Sequence, residues 1–278
     1  MIPDSKTNFL YLADSLPKKY PNFYPRFEKV LHDCNLNYQL LPGTKDVWAV
    51  DYMPIQIEQN RFVRFTYNPT YLQSKKDQKT ISDVDPICEQ IGIETIKSSI
   101  VLDGGNVTRT TDKVIMTDRV FAENPGFERK QLIRELHEYF QVDKLFLIPE
   151  QPNDFTGHSD GMVRFIDNQT ILINNYKDEK PAFKRAFEIA IHNTGLGTIE
   201  IPYNPYGNGN YTQANGDYIN YLQMENTVIL PVFGIKEDAE VVKQFEELFK
   251  GQTVATIDGT EIANEGGILN CITWNIKK

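Results

Sequence analysis

Short β-rich runs alternate with amphipathic stretches along most of the chain. In four places two runs of β-branched and aromatic residues flank a polar turn, which is the pattern of a β-hairpin. These four stretches cover residues 62–72, 104–120, 161–176 and 217–234. Four other stretches repeat apolar residues every three or four positions, which predicts helices with one buried face. The predicted helices cover residues 24–34, 128–140, 180–195 and 237–251.

A further apolar run follows three of these helices, at residues 144–149, 197–202 and 253–258. The order strand–strand–helix–strand therefore recurs with a period of roughly 50 residues. Such a repeat predicts an α/β protein in which small mixed sheets form a ring backed by helices. No low-complexity linker divides the chain, so we expect a single domain over residues 1–278. The Gly- and Asn-rich stretch 203–217 is expected to be a loop at the border of a site.

The amino-acid composition limits the kinds of molecule that the protein is expected to bind. The chain has 278 residues and a formal charge of −9, which disfavours nucleic acid and membranes and mildly favours cationic ligands. Its three cysteines are widely spaced and form neither a metal motif nor an even disulfide set. The first 20 residues lack the features of a signal peptide, and no segment approaches the roughly 18 apolar residues that span a membrane. We therefore expect a cytoplasmic protein with reduced thiols and no metal.

Four short stretches carry candidate chemistry. "KDVWAVDYMPIQ" places Asp51 among bulky apolar residues, and "IVLDGGNV" places Asp103 before two glycines. "DFTGHSDGMVRF" holds His158 and Asp160, which would share one face at the start of a strand. "NEGGILNCITWN" contains Cys271 within the last apolar run. A ring of repeats would bring these positions together at its centre.

Taken singly, each candidate also has a purely structural interpretation. Asp103 could cap a turn, His158 could be a hydrogen-bonded loop residue, and Cys271 could be a small core residue. The remaining histidines and cysteines lie in helical or apolar patterns and are interpreted as structural: His32, His137, His192, Cys34 and Cys88.

From about residue 45 onward the chain resembles the agmatine deiminase and bacterial peptidyl-arginine deiminase family, within the guanidine-modifying pentein enzymes. "VWAVDYMP" is similar to the family's W-x-R-D-x-x-P, "LDGGNV" to E-G-G-N, and "TGHSDGMVRF" to T-G-H-x-D-G-x-x-R-F. "DYINYLQMENTVILPVFG" and "EGGILNCIT" resemble two later motifs, Y-I-N-F-Y-x-x-N-x-x-V-x-P-x-F-G and G-G-G-x-I-H-C-I-T. The resemblance implies the pentein α/β propeller, with five ββαβ-type units around a pseudo-fivefold axis.

Carried onto this chain, the resemblance implies a role for each candidate. Cys271 would be the nucleophile and His158 the general acid and base. Asp51 and Asp160 would hold the guanidinium ion, one on each side, and Asp103 would support the histidine in place of a family Glu. Further substrate contacts are expected at Trp48, Asn106, Gly157 and Asn270. Candidate contacts to the far end of the substrate are Tyr203, Tyr206, Asn208 and Asn210.

Three positions depart from the family motifs. Val50 replaces the Arg of W-x-R-D, Asp103 is one methylene shorter than the family Glu, and Asn270 replaces the His before the cysteine. The catalytic set is retained, so these departures bear on the identity of the substrate more than on the class of reaction.

The expected reaction is hydrolysis of a small, agmatine-like guanidino compound through a covalent thiouronium intermediate. It requires no cofactor, and its partner would be a small cationic substrate. Because Asp51 and Asp160 lie nearby, Cys271 should be mainly a thiol until the substrate docks. Within the same fold, a peptidyl-arginine or free-arginine deiminase, an amidinotransferase and a dimethylarginine hydrolase stay open. A cysteine peptidase and a non-catalytic pentein binding protein are alternatives of other classes, and a homo-oligomer is left open.

Overall fold

The computed structural model describes residues 1–204 and 213–278. In this part of the chain the strands are β1 Phe9–Ala13, β2 Tyr38–Leu41, β3 Ile55–Glu58, β4 Arg61–Thr66, β5 Thr95–Val101, β6 Thr108–Arg109, β7 Lys113–Thr117, β8 Lys144–Ile148, β9 Val163–Phe165, β10 Thr170–Asn174, β11 Gly197–Ile201, β12 Leu222–Met224, β13 Thr227–Val232, β14 Thr253–Asp258 and β15 Thr273–Ile276.

The helices are α1 Leu16–Lys19, α2 Phe23–Asp33, α3 Ala49–Tyr52, α4 Val84–Gln90, α5 Arg119–Glu123, α6 Arg129–Phe140, α7 Pro181–Thr194, α8 Asp238–Leu248 and α9 Thr260–Ala263. Short 3-10 turns lie at Asp4–Lys6, Thr70–Leu72, Asp77–Thr80, Gly104–Asn106 and Ser159–Gly161. None of the helices in the described ranges is long and apolar enough to cross a membrane.

The strands form five three-stranded sheets with one common design. Their orders are β15-β1-β2, β3-β4-β5, β6-β7-β8, β9-β10-β11 and β12-β13-β14. In each sheet the middle strand runs antiparallel to the first strand and parallel to the third. A helix joins the second and third strands, because a parallel connection needs a crossover. The structure therefore repeats a ββαβ unit five times, as the sequence predicts.

The first sheet joins the two ends of the described chain. β15 pairs antiparallel with β1, so that Tyr11 lies opposite Trp274. The side chain of Asn275 donates hydrogen bonds from Nδ2 to Thr7 Oγ1 at 2.8 Å and to Gln223 O at 3.1 Å. Asn275 thus links the last strand to the N-terminal segment and to β12 of the fifth sheet.

The crossover helices follow from their apolar periodicity. In α6 the residues Leu132, Leu136 and Phe140 recur on one face, and all three are buried. α7 begins with Pro181, whose missing N–H has no partner in the first turn of a helix, and ends at Gly195 with φ +70°. All four helices predicted from the sequence are confirmed, as are the three strands that follow them.

Three of the four predicted hairpins are confirmed, as β6/β7, β9/β10 and β12/β13. The prediction for residues 62–72 is wrong. There β4 is a single strand that pairs back with β3, and a 3-10 turn follows at Thr70–Leu72. The hairpin turn lies one strand earlier, within the wholly polar run 58–61, where no Gly or Pro marks it.

Candidate active site

Two short elements, α3 and the 3-10 turn Ser159–Gly161, carry side chains that line a cavity of about 210 Å³. The 3-10 turn Gly104–Asn106 contacts both of them. Asp51, His158, Asp160 and Cys271 all line this cavity. The structure therefore brings together the four side chains to which the sequence assigns the chemistry.

The local structure at two of these residues differs from the sequence prediction. His158 and Asp160 do not begin a strand, because residues 159–161 form a 3-10 turn and β9 starts only at Val163. Cys271 lies in the turn before β15 rather than within a strand. His158 and Asp160 on the one hand, and Cys271 on the other, thus lie in tight turns that precede strands. From these turns their side chains reach the cavity.

The two glycines of "LDGGNV" allow a close approach of backbone and side chains. A Cβ on Gly104 would lie 2.0 Å from the carbonyl oxygen of Val50. A Cβ on Gly105 would lie 2.6 Å from His158 Nδ1 and 2.7 Å from Asp51 Oδ1. The Gly105 N–H instead donates a hydrogen bond to Asp51 Oδ1 at 3.1 Å. The missing side chain at 105 therefore leaves the room that the acid and the imidazole occupy.

His158 is buried between carboxylates. Its Nε2 lies 2.9 Å from Asp103 Oδ2, and its Nδ1 lies 3.5 Å from Asp51 Oδ1. Burial opposes the charged imidazole, but Asp51, Asp103 and Asp160 outweigh burial and raise the pKa of His158. Burial and the neighbouring acids Asp103 and Asp160 also raise the pKa of Asp51. In both His158 and Asp51 the shift of the pKa favours the protonated form.

The thiol of Cys271 faces two acceptors. Its Sγ lies 3.4 Å from Asn220 Oδ1 and 3.9 Å from Asp160 Oδ2. Asn220 Oδ1 also accepts from the backbone N–H groups of Asn270 and Cys271, at 3.1 and 3.3 Å. Burial, followed by Asp160 and Asp51, raises the pKa of Cys271 well above the usual range. The direction agrees with the expectation that the thiol is protonated in the empty cavity.

Asp160 is buried and accepts a hydrogen bond from Asn270. Asn270 Nδ2 donates to Asp160 Oδ2 at 2.6 Å, so the residue that replaces the family histidine orients one of the two acids. Burial raises the pKa of Asp160, although His158 and Asn270 oppose the shift. Asn270 itself is not among the residues that line the main cavity. The structure therefore places it as a support for Asp160 rather than as the direct substrate contact that the sequence suggests.

Two other predicted substrate contacts also lie behind the cavity wall. Asn106 Oδ1 accepts hydrogen bonds from the backbone and hydroxyl of Thr117, and that hydroxyl donates to the carbonyl of Gly157. Neither Asn106 nor Gly157 lines the cavity, because both are engaged in fixing the two turns to β7. Asp103 likewise does not line it and acts through His158.

Of the other predicted substrate contacts, two line the cavity and three lie outside the described residues. Trp48 lines the cavity, and a Cβ on Gly267 would lie 2.5 Å from its ring. Tyr203 also lines the cavity. Tyr206, Asn208 and Asn210 lie outside the described residues.

Val50, which replaces the family arginine, faces a separate small cavity of about 20 Å³. The same cavity is lined by Arg109 and Arg164, and both guanidinium groups pair with Asp4 of the N-terminal 3-10 turn, at 3.0 and 2.8 Å. Two arginines from other parts of the chain therefore supply positive charge beside the position where the motif lacks it.

The wall contains residues that the sequence analysis missed. They are Asp46, Tyr67, Tyr71, Leu72, Gln151, Asp154, Phe155, Thr156, Gly161, Gln213, Ala214, Asn215, Asp217, Asn220, Glu265, Gly266, Gly267 and Ile268. Asp217 and Asn220 belong to the quoted stretch "DYINYLQMEN", so the resemblance could have identified them. Tyr67 and Tyr71 lie in an irregular segment that carries no motif.

Acids dominate the charge of this wall. Six carboxyl side chains line it, and none of the lining residues in the described chain is Lys or Arg. Residues 205–212, which are not described, contain no Lys or Arg in the sequence either. No group of three or more His, Cys, Asp or Glu side chains within residues 1–204 and 213–278 is arranged to hold a metal ion. The cavity therefore suits a small cationic ligand.

Comparison with known proteins agrees with the geometry. Residues 22–276 match the family described as Porphyromonas-type peptidyl-arginine deiminase. A protein of Mycoplasma mycoides subsp. mycoides SC that bears the name "Putative agmatine deiminase" is 24% identical over an alignment of 222 residues, and the alignment covers 67% of this chain and 60% of that protein. The match thus spans about three fifths of the length of this curated relative.

Two solved structures have the same fold. The agmatine deiminase of C. jejuni superposes with a TM-score of 0.82 at 18% identity, covering 100% of this chain and 95% of that chain. The agmatine deiminase of Enterococcus faecalis gives a TM-score of 0.81 at 16% identity, with 100% and 95% of the two chains covered. The five ββαβ units therefore have the pentein arrangement.

Proposed function

Because the chain belongs to the Porphyromonas-type peptidyl-arginine deiminase family, we propose that it is a hydrolase that deiminates a small guanidino compound. The products are a ureido compound and ammonia. The observation that carries the proposal is the presence of a thiol, an imidazole and two carboxylates in one cavity, at Cys271, His158, Asp51 and Asp160. These are the groups that attack on a guanidinium carbon requires.

The proposed reaction begins with the binding of the cation between Asp51 and Asp160. Carboxylates accept the N–H groups of a guanidinium in pairs and fix its central carbon. The positive charge lowers the pKa of Cys271, so that the thiol releases its proton to solvent, and the thiolate adds to the carbon to give a tetrahedral adduct. His158 protonates the departing nitrogen, so that the C–N bond breaks and ammonia leaves. An S-alkylthiouronium stays on the sulfur.

The second half of the reaction uses water. His158, now neutral, takes a proton from a water molecule that adds to the thiouronium carbon. The C–S bond then breaks, and the ureido product and the free thiol of Cys271 are released. Asp103, at 2.9 Å from His158 Nε2, would keep the imidazole in place through both proton transfers.

The charges of the wall support a substrate whose far end is not anionic. Lys19 already pairs with two of the six acids, Glu265 at 2.8 Å and Asp46 at 3.5 Å. Beyond the pair assigned to the guanidinium, Asp154 and Asp217 also line the wall, where Asp154 accepts from Thr156 and Asp217 from the Ile219 N–H. A free carboxylate at the far end would meet these acids without a cation, whereas an amine would be attracted to them. This favours an agmatine-like compound over free arginine.

The size of the cavity supports the same choice. Sites for drug-sized ligands usually have about 300–1,000 Å³, and this cavity has about 210 Å³. A short diamine-like guanidine fits such a space more readily than an arginine within a folded peptide.

A substrate screen tests the proposal. The purified protein is incubated with agmatine, free arginine, dimethylarginine and an arginine peptide, and ureido product and ammonia are measured. We expect agmatine to be converted most efficiently, and Cys271→Ala to abolish conversion. Cys34→Ala is the matched control, because Cys34 is a free thiol at the end of α2. Equal turnover by Cys271→Ala, or no ureido product from any of the four compounds, would refute the proposal.

A further inference from the structure

Tyr71 contacts the acid that holds the imidazole. Its hydroxyl donates a hydrogen bond to Asp103 Oδ2 at 2.6 Å, and the same oxygen lies 2.9 Å from His158 Nε2. Asp103 is buried, and its other oxygen, Oδ1, has no hydrogen-bond partner among residues 1–204 and 213–278. Two groups therefore share one carboxylate oxygen, so that a change in one contact must affect the other.

A set of side chains that the proposed reaction does not use fixes the turn that carries Tyr71. We call it the Thr70 clamp, and it consists of Thr70, Arg119, Glu123 and Glu150. Glu123 accepts from the N–H and the hydroxyl of Thr70, both at 2.7 Å, and from Arg119 Nε at 2.8 Å. Arg119 also donates from Nη2 to the Thr70 hydroxyl at 2.9 Å and from Nη1 to Glu150 at 3.3 Å.

The Thr70 clamp also reaches the residue before the histidine. A Cβ on Gly157 would lie 2.6 Å from Glu150 Oε2 and 3.4 Å from Arg119 Cγ. The clamp thus packs against the chain on both sides of the Asp103 carboxylate, next to Tyr71 and next to His158. The ring of Tyr71 is further held by an edge-to-face contact with Phe155, with centroids 5.4 Å apart.

We propose that Tyr71 is a positioning residue that lowers the basicity of His158 by donating a hydrogen bond to Asp103. The inference rests on the function proposed above, in which His158 acts as the acid and then as the base. It assigns Tyr71 a role that none of the sequence motifs carries.

The physical reason is competition for the charge of one carboxylate. A hydrogen bond to an ionised carboxylate stabilises its negative charge and draws that charge away from other partners. With Tyr71 bound, Asp103 stabilises the imidazolium of His158 less than an otherwise unpaired carboxylate would. An acid of lower pKa gives up its proton to the departing nitrogen more readily. The shorter Asp103 therefore holds the imidazole without binding its proton too tightly.

The titratable groups that face His158 and Tyr71 are all kept in the experiment below. His158 is faced by the carboxyls of Asp51, Asp103 and Asp160. Tyr71 is faced by Asp103, Tyr67 and Asp51. The test therefore changes one hydroxyl and leaves every acid unchanged.

The experiment compares Tyr71→Phe with the natural protein by NMR titration of the imidazole, assigned by the loss of its signal in His158→Ala. We expect the pKa of His158 to rise by about one unit when the hydroxyl is removed. The turnover number at neutral pH should fall roughly tenfold with little change in KM, because the ring still lines the cavity. Tyr38→Phe is the control, since it removes a hydroxyl that donates to Glu28 on the surface.

Thr70→Val provides a second variant that keeps the Tyr71 hydroxyl but loosens its anchor. It should raise the pKa of His158 in the same direction by a smaller amount. An unchanged titration of His158 in a folded Tyr71→Phe protein would overturn the inference even if the enzyme is active. A shifted titration in a protein without any deiminase activity would refute the proposed function and leave the coupling in place.

Discussion

At the scale of single residues, the site depends on buried acids grouped around one cavity. Cys271 and His158 each have their pKa raised, the first by burial and by Asp160 and Asp51, the second by its neighbouring acids. A guanidinium ion placed between Asp51 and Asp160 would cancel the charge that opposes the thiolate. The nucleophile is therefore expected to ionise when its substrate binds, which protects it from other electrophiles in the empty state.

This coupling predicts the reactivity of Asp160→Asn. Removing the negative charge removes a penalty on the thiolate, so the pKa of Cys271 should fall. Alkylation of Cys271 by iodoacetamide at neutral pH should then accelerate about tenfold, as measured for each cysteine by mass spectrometry. Asp154→Asn is the control, because that acid lines the same cavity but is not among the groups that raise the pKa of Cys271. An unaltered rate in Asp160→Asn would contradict the coupling.

Motifs in the sequence identified the candidate reacting residues, which the structure places in one cavity, but not most of their supports. Cys271, His158, Asp51 and Asp160 could be named because each belongs to a recognisable short pattern. Tyr71 could not, since its hydroxyl meets Asp103 across 32 positions from a segment without periodicity. Contacts of this kind depend on how turns of different units meet, which one short stretch of sequence does not encode.

At the scale of elements, the site is made by short turns between strands, and their backbones approach more closely than side chains would allow. Gly104 packs against the carbonyl of Val50, and Gly105 faces both Asp51 and His158. The strands and helices hold these turns at fixed separations. The geometry of the catalytic groups is therefore sensitive to a single added methyl group in a turn.

Gly105→Ala tests this sensitivity. The new Cβ would lie 2.6 Å from His158 Nδ1, so the imidazole or the turn must move. A displacement near 1 Å can reduce turnover on the order of 100-fold, and we expect such a loss with only a small change in the thermal midpoint. Gly126→Ala is the control, because a Cβ there meets no atom within 4 Å. Full activity of Gly105→Ala would show that the turn has room to adapt.

Elements could be predicted from the sequence where their pattern is local. α6, α7 and α8 have 11 or more residues with a clear apolar face, and each was identified with nearly correct limits. β1 was not identified, because it is the middle strand of a sheet whose edges come from β2 and from β15, which lies more than 260 residues away, and no hairpin pattern marks it. The hairpin turn expected within residues 62–72 is absent there, and the 3-10 turn Thr70–Leu72 follows β4 instead.

At the scale of the whole molecule, the five sheets are equivalent in design but not in connectivity. Four take their three strands from one continuous stretch, and the first takes β15 from the far end of the chain. Cys271 lies two residues before that strand, so the closure of the ring places its thiol in the cavity.

Asn275→Ala should weaken the closure without removing a reacting group. The buried Nδ2 donates to Thr7 Oγ1 and to Gln223 O, and its loss removes both hydrogen bonds, although the Thr7 hydroxyl still donates to Asp4 O. We expect the free energy of unfolding to fall by about 1–3 kcal/mol, as measured by denaturant titration. Asn8→Ala is the matched control, because Asn8 also links the two ends of the chain but in an exposed position. This variant should lower the free energy of unfolding by less than about 0.5 kcal/mol. Equal effects of the two variants would exclude a special role for Asn275.

Because β15 pairs with β1, the first sheet can be completed only after the last strand has been synthesised. A ribosome releases β1 long before β15, so one edge of β1 has exposed hydrogen-bonding groups while the intervening units emerge and fold. Cys271 is translated after Asp51, Asp103, His158 and Asp160. A nascent chain therefore carries the acids and the imidazole first and acquires its nucleophile only when the last strand can join the first.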